Sequence, residues 1–132
     1  MDINKRAVPV VVMTDDEDIL RETYQIILNA EGFKAYTANT GRDGLKLASQ
    51  VSPDVVLLDM LMPDLGGLEF LETFQAKKHP ETKIYVLSNL SDPDQMRKAM
   101  ELGAWKYMVK ADYTPTQIVG MVKEDLAAAS KS

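Results

Sequence analysis

Five short runs rich in Val, Ile, Leu, Tyr or Met recur along the chain, at Ala7–Met13, Phe33–Thr37, Asp54–Leu58, Lys83–Leu87 and Trp105–Val109. Runs of this length and content predict strands, and the third, with no polar residue from Val55 to Leu58, predicts burial on both faces. Stretches of helical period lie between and after them. Ile19, Leu20, Tyr24, Ile27 and Leu28 form one stripe, Met96, Ala99 and Met100 another, and Ile118, Val122 and Leu126 stand four apart. The order is therefore (βα)5. Strands alternating with helices in this way form an α/β doubly wound fold, a five-stranded parallel sheet with right-handed crossovers and helices on both faces.

Helix punctuation agrees. Asp92-Pro93 reads as an N-cap followed by proline at the first helical position, and Thr114-Pro115-Thr116-Gln117 as a capping box. Gly32 and Gly103 stand where helices end. The tail from Ala127 to Ser132 is expected to fray. With 132 residues, 45% of them hydrophobic, the chain suffices for one core and not two, so residues 1–132 read as a single domain with its core at 7–127 and no second domain on this chain.

Composition narrows the function. Net charge is −5 and no basic cluster appears, which argues against direct nucleic-acid binding or an anionic membrane surface. Cysteine is absent, so disulfides, thiolate metal sites and thiol nucleophiles are excluded together, which fits a cytoplasmic setting. The apolar runs are too short to span a bilayer, and the N-terminus has no signal-peptide pattern.

Ligands of open parallel sheets collect at the carboxyl ends of the strands. At those ends stand Thr14-Asp15-Asp16-Glu17, Asp59, Ser88-Asn89 and Lys110. Taken singly, each has an ordinary explanation: an acidic pair caps the next helix, a serine closes a turn, a lysine is solvated. Their convergence on one edge is costly unless something binds there. A hard cation such as Mg²⁺, which joins carboxylates to phosphate oxygens, accounts for most of the set and points to phosphoryl chemistry.

With these residues in place, the chain resembles a receiver domain of the two-component response regulators, from about Val8 to Leu126. The resemblance is carried by VVMTDDEDIL, DVVLLDMLMPDLGGLEFL, VLSNLSD and GAWKYMVKAD. Asp59, Met62, Pro63 and Gly67 meet the pattern D-x-x-M-P-x-x-x-G. It implies a flavodoxin-like sheet ordered 2-1-3-4-5 and a phosphoacceptor role for Asp59, supplied by a sensor histidine kinase, a phosphotransfer protein or a small acyl phosphate. Asp16, Asp59 and the Leu61 backbone carbonyl would bind Mg²⁺, with Asp15 acting through coordinated water. Lys110 would contact the phosphoryl group, Ser88 would move to it, and Tyr107 would swing inward. The fourth helix, fifth strand and fifth helix would then present a switched surface to a downstream protein or a second copy of the chain.

Several positions depart from the family pattern. Lys110-Ala111 replaces the usual Lys-Pro with its cis bond, so a trans bond or a strained cis one is expected, with a differently shaped loop. Asn89 stands where a small residue is usual, and Gly66 replaces a frequent aspartate. Leu61 and Leu90 flank the path of hydrolytic water and cannot orient it, which predicts a long-lived acyl phosphate. Two other functions compete. A receiver-like domain that binds partners without phosphorylation is favoured by Asn89 and Ala111, and opposed by the intact acids and lysine. A Mg²⁺-dependent phosphohydrolase with an aspartate nucleophile, as in haloacid-dehalogenase-like phosphatases, would want a second acid where Leu61 stands. His79 reads as a solvated loop residue before Pro80, the eight methionines as core filling and one exposed surface, and Trp105 as either packing or signalling face.

Overall fold

A computed structural model describes residues 8–130. Its elements run β1 (Val10–Thr14), α1 (Asp18–Ala30), β2 (Lys34–Ala38), α2 (Gly41–Val51), β3 (Val55–Asp59), α3 (Gly67–Phe74), β4 (Lys83–Ser88), α4 (Pro93–Glu101), β5 (Lys106–Val109) and α5 (Pro115–Ser130). Short 3₁₀ turns follow α3 and β5. The five strands are parallel in the order β2-β1-β3-β4-β5, as the α/β reading expects.

The sheet has two buried faces because alternate strand residues point opposite ways. Val11, Met13, Val55, Leu57, Tyr85 and Leu87 face α1 and α5, where Tyr24, Leu28, Ile118 and Val122 close one core. Val12, Val56, Leu58, Ile84 and Val86 meet Ala48, Phe70, Leu71 and Ala99 from α2, α3 and α4 in the other. The central strand β3 is buried along its whole length, Asp59 included, which fixes the last residue of the apolar run at the sheet edge.

Differences from the sequence reading are local. The first strand starts at Val10 instead of Ala7, which lies outside the described residues. Pro9 has no N–H to give a ladder, and the Val10 N–H goes to Asp54 Oδ2 at 2.7 Å. The first four strands each extend one residue past the apolar run, because backbone pairing in a ladder does not depend on side-chain polarity. Thr14, Asp59 and Ser88 are therefore strand residues. Ile19 is 81% exposed and leaves the α1 stripe to Leu20, Tyr24, Ile27 and Leu28; in α4 only Ala99 is buried, while Met96 and Met100 face outward. His79 is not merely solvated: its ring stacks on Phe74 with centroids 4.6 Å apart. Helix α5 continues through Ser130, so Ala127–Ser130 of the tail is helical, in keeping with alanine as the best helix former, and residues 131–132 lie outside the described residues.

The caps stand where local sequence placed them. Asp92 accepts from the Asp94 and Gln95 N–H groups, and Thr114 and Gln117 exchange reciprocal side-chain-to-backbone bonds. Gly32 and Gly103 take φ of +91° and +106°, the left-handed backbone that ends α1 and α4.

Candidate functional site

The parallel register delivers Thr14, Asp59, Ser88 and Val109 to one edge. Asp59 closes β3 with a side chain only 7% exposed. Its backbone N–H donates to Thr14 Oγ1 at 3.3 Å, and that hydroxyl donates in turn to the Leu57 carbonyl at 3.4 Å, so Thr14 stitches β1 to the end of β3. The Leu61 N–H donates to Asp59 Oδ1 at 3.3 Å, which turns the carboxylate toward the loop after β3.

Lys110 follows β5 and reaches back across the edge. Its Nζ lies 3.2 Å from Asp59 Oδ2 and 3.2 Å from Asp15 Oδ2, a shared ion pair with little solvent access. Asp15 is fully buried, and its other oxygen accepts the Glu17 N–H at 2.9 Å. The Arg21 guanidinium donates to the Asp15 carbonyl at 2.9 Å, tying α1 to the same corner. Burial pushes the Asp59 carboxyl up and Asp15 adds to the shift; Lys110 and the Leu61 N–H pull it back without cancelling, so it stands above its ordinary value. Burial alone would lower the Lys110 ammonium, but Asp59 and Asp15 outweigh it and hold it raised.

Asp16 is exposed beside this pair. Asp15, Asp16 and Asp59 each offer a carboxylate oxygen, and the three lie within 4.8 Å of one another. Three carboxylates against one ammonium leave excess negative charge, and an all-oxygen donor set suits a hard divalent cation. Lys110-Ala111 is joined by a trans bond, since the described residues contain no cis peptide, and the chain turns through 3₁₀ backbone at Lys110–Asp112. Ala111 and Asn89 are exposed at the rim.

The loop after β3 is braced from outside. Both carboxylate oxygens of Asp64 accept N–H groups at the start of α2, from Gly41 at 2.9 Å and Arg42 at 3.0 Å. Gly41 is required by the close approach, because a Cβ there would run into the Leu65 carbonyl. Gly66 is the N-cap of α3, and the Gly67 N–H donates to the Met60 carbonyl at 2.9 Å.

Ser88 and Tyr107 meet at Leu90. The buried Ser88 hydroxyl accepts the Leu90 N–H at 3.1 Å, and the half-buried Tyr107 donates its hydroxyl to the Leu90 carbonyl at 3.1 Å. Beyond Tyr107 a shallow groove of about 380 Å³ runs between α4, β5 and α5, lined by Met96, Met100, Trp105, Tyr107, Tyr113 and Met121. Leu61 and Leu90 are 62% and 63% exposed, on the lips of the site.

Sequence reasoning missed three positioning residues. Thr14 stood only among the strand-end residues and Asp64 only inside the motif stretch around β3, neither with a role of its own. Asp125 of α5 accepts from Tyr85 Oη at 2.6 Å, Lys106 Nζ at 2.9 Å and Trp105 Nε1 at 3.2 Å, and none of these partners is near it in sequence. Only placement in the fold reveals them.

Comparison with known proteins identifies the family and the fold. The cell cycle transcriptional regulator CtrA of Caulobacter vibrioides is 34% identical over 100 residues, covering 76% of this chain and 43% of that protein. The chain thus spans under half the length of that relative. Among solved structures, the chemotaxis protein CheY4 of Vibrio cholerae superimposes with a TM-score of 0.80 at 25% identity, covering 89% of this chain and 98% of that one. A CheY-like receiver domain protein of Methanospirillum hungatei gives 0.86 at 24% identity over 95% of this chain and 98% of that one, a likeness of fold. The response regulator receiver domain family matches residues 10–123. A buried aspartate at the end of β3, paired with an ammonium from the end of β5 on a 2-1-3-4-5 sheet, thus sits in a chain that belongs to the response regulator receiver domains of two-component systems.

Proposed function

We propose that this chain is a phospho-accepting receiver in which Asp59 takes a phosphoryl group from the phosphohistidine of a sensor histidine kinase or phosphotransfer protein. The observation that carries the reading is the Lys110 ammonium, 3.2 Å from both Asp59 and Asp15. An in-line attack by an Asp59 oxygen forms the new P–O bond while the bond to the donor's leaving group breaks. Lys110 stands ready to exchange a carboxylate contact for an equatorial phosphoryl oxygen. Asp16, Asp59 and the Leu61 carbonyl would hold Mg²⁺, and Asp15 would act through coordinated water; the cation supplies positive charge against the phosphoryl oxygens. Asp15, already bonded to Lys110 and to the Glu17 N–H, orients the ammonium.

Phosphorylation adds about one to two negative charges and strong acceptor oxygens at this edge. Ser88 then leaves the Leu90 N–H for the phosphoryl group, the loop before α4 shifts, and Tyr107 loses its acceptor and turns inward. The surface of α4, β5 and α5 changes, and a downstream protein or a second copy reads it. The 132 residues act as one receiver unit in this scheme. A phosphohydrolase is disfavoured by Leu61, an exposed hydrocarbon where a general acid is needed.

The test is intact mass after incubation with acetyl phosphate and Mg²⁺. The parent gains one phosphoryl group and Asp59→Asn does not; an adduct on both, or on neither, overturns the assignment.

A further inference from the structure

A second cavity of about 350 Å³ opens beside the phosphoacceptor, between the loops after β3 and β4. Its walls are Met60, Leu61, Leu68 and Leu90, with Gly66 and Ser88 among the remaining lining residues. One measured link joins it to the reacting carboxylate, the Leu61 N–H donated to Asp59 Oδ1 at 3.3 Å; on its other side the Leu90 N–H is donated to Ser88 Oγ at 3.1 Å. Gly66 keeps one wall open, since a Cβ there would meet only the Met60 carbonyl oxygen, at 3.8 Å. The charged residues of the lining are Glu69 and Asp92, both acidic, and no cation is among them.

We propose that this groove receives the hydrocarbon part of the leaving group when a small acyl phosphate serves as donor, so that the chain selects donors with an apolar, uncharged acyl chain. The inference rests on the phosphoacceptor reading of Asp59. In-line transfer points the leaving group away from Asp59, outward past the two exposed leucines. Hydrocarbon there covers Leu61 and Leu90, whereas the polyanionic tail of a nucleotide would meet Glu69 and Asp92 with no cation to offset them. The step balances without a further reactant. An Asp59 oxygen bonds to phosphorus, the P–O bond to the acyl group breaks, and the electron pair departs on a carboxylate that needs no proton. That new carboxylate is repelled by Glu69 and Asp92, which favours release.

Initial rates of phosphoryl adduct formation with acetyl phosphate and butyryl phosphate, followed by intact mass, test this. The two leaving groups are nearly equal in basicity and differ by two methylenes. Complete burial of each is worth about fourfold, so an open groove should favour butyryl phosphate roughly three- to tenfold. In Leu61→Asn and Leu90→Asn the ratio should fall toward one. Equal rates in the parent overturn the inference and leave the phosphoacceptor role standing, as does a ratio that persists in both leucine variants. No adduct from either donor, or an adduct on Asp59→Asn, overturns both.

Discussion

Ser88 and Tyr107, on neighbouring strands, hold the two sides of one loop residue: Leu90 gives its N–H to the serine and takes the tyrosine's proton on its carbonyl, each at 3.1 Å. Neither grip can be released without loosening the loop that leads into α4. In the unphosphorylated chain, Ser88→Ala should speed exchange of the Leu90 amide by at least about tenfold, corresponding to a lost hydrogen bond of about 1.4 kcal/mol. Phosphorylation of the parent should do the same. Exchange that is unmoved by both would mean the two residues do not act through Leu90.

Lys110 is the one ammonium on the two buried carboxylates among the described residues. Lys110→Met keeps the length of the stem and removes the charge. Phosphorylation by acetyl phosphate should slow on the order of 10²-fold, the usual cost of deleting one charge-stabilising donor. Stopped-flow or mass-resolved initial rates settle it; a change under threefold contradicts the proposed contact with the phosphoryl group.

Dephosphorylation should be slow because both lips of the site are hydrocarbon. Replacing Leu90 with Glu supplies a group able to orient water, and the phosphoryl lifetime should shorten several-fold, a loss of about 1 kcal/mol of barrier. A parent that sheds its label within seconds in Mg²⁺ buffer would be at odds with this.

Gly41 allows the loop of Asp64 and Leu65 to lie against the start of α2. Gly41→Ala drives a methyl group into the Leu65 carbonyl and should destabilise the fold by roughly 1–3 kcal/mol, read as a lower denaturant midpoint with unchanged slope. Because the same loop carries Leu61, the variant should also slow phosphorylation more than its lost stability explains.

Asp125 gives a pH signature. Partial burial would raise its carboxyl, but hydrogen bonds from Tyr85, Lys106 and Trp105 outweigh that and hold it below its ordinary value. A pKa lower in the folded than in the unfolded chain stabilises above the unfolded value, and that contribution fades as pH falls through the folded one. Asp125→Asn should therefore cost roughly 1–3 kcal/mol near about pH 7, and the gap from the parent should narrow on acidification below about pH 4. A gap that widens in acid would refute the network's sign.

Strands and caps were legible because their signals are local. Val55–Leu58, short and apolar, reads as a buried strand and is one, and Asp92-Pro93 carries its helix start within two residues. Asp15, Asp59 and Lys110 were legible because parallel topology sends every strand end to one edge. What stayed hidden depends on long separations: Thr14 bonds Leu57 across 43 residues, Asp64 caps a helix 23 residues earlier, and Asp125 gathers donors 19 to 40 residues away. Nothing in a local pattern marks such partners. Periodicity also misplaced Ile19, since a stripe of five residues is wider than the face α1 buries.

The Lys83–Trp105–Asp125 arrangement equips the domain with an optical gauge. Trp105 is the sole indole of the chain; the Lys83 ammonium lies 3.8 Å from its ring centroid and the Asp125 carboxylate accepts its N–H. An excited indole's emission colour follows nearby charge and hydration, and this one borders the groove of Met96, Met100 and Tyr113. A protein settling on that groove would strip water from the ring and shift its light toward the blue, so occupancy of the groove can be watched in the unlabelled chain.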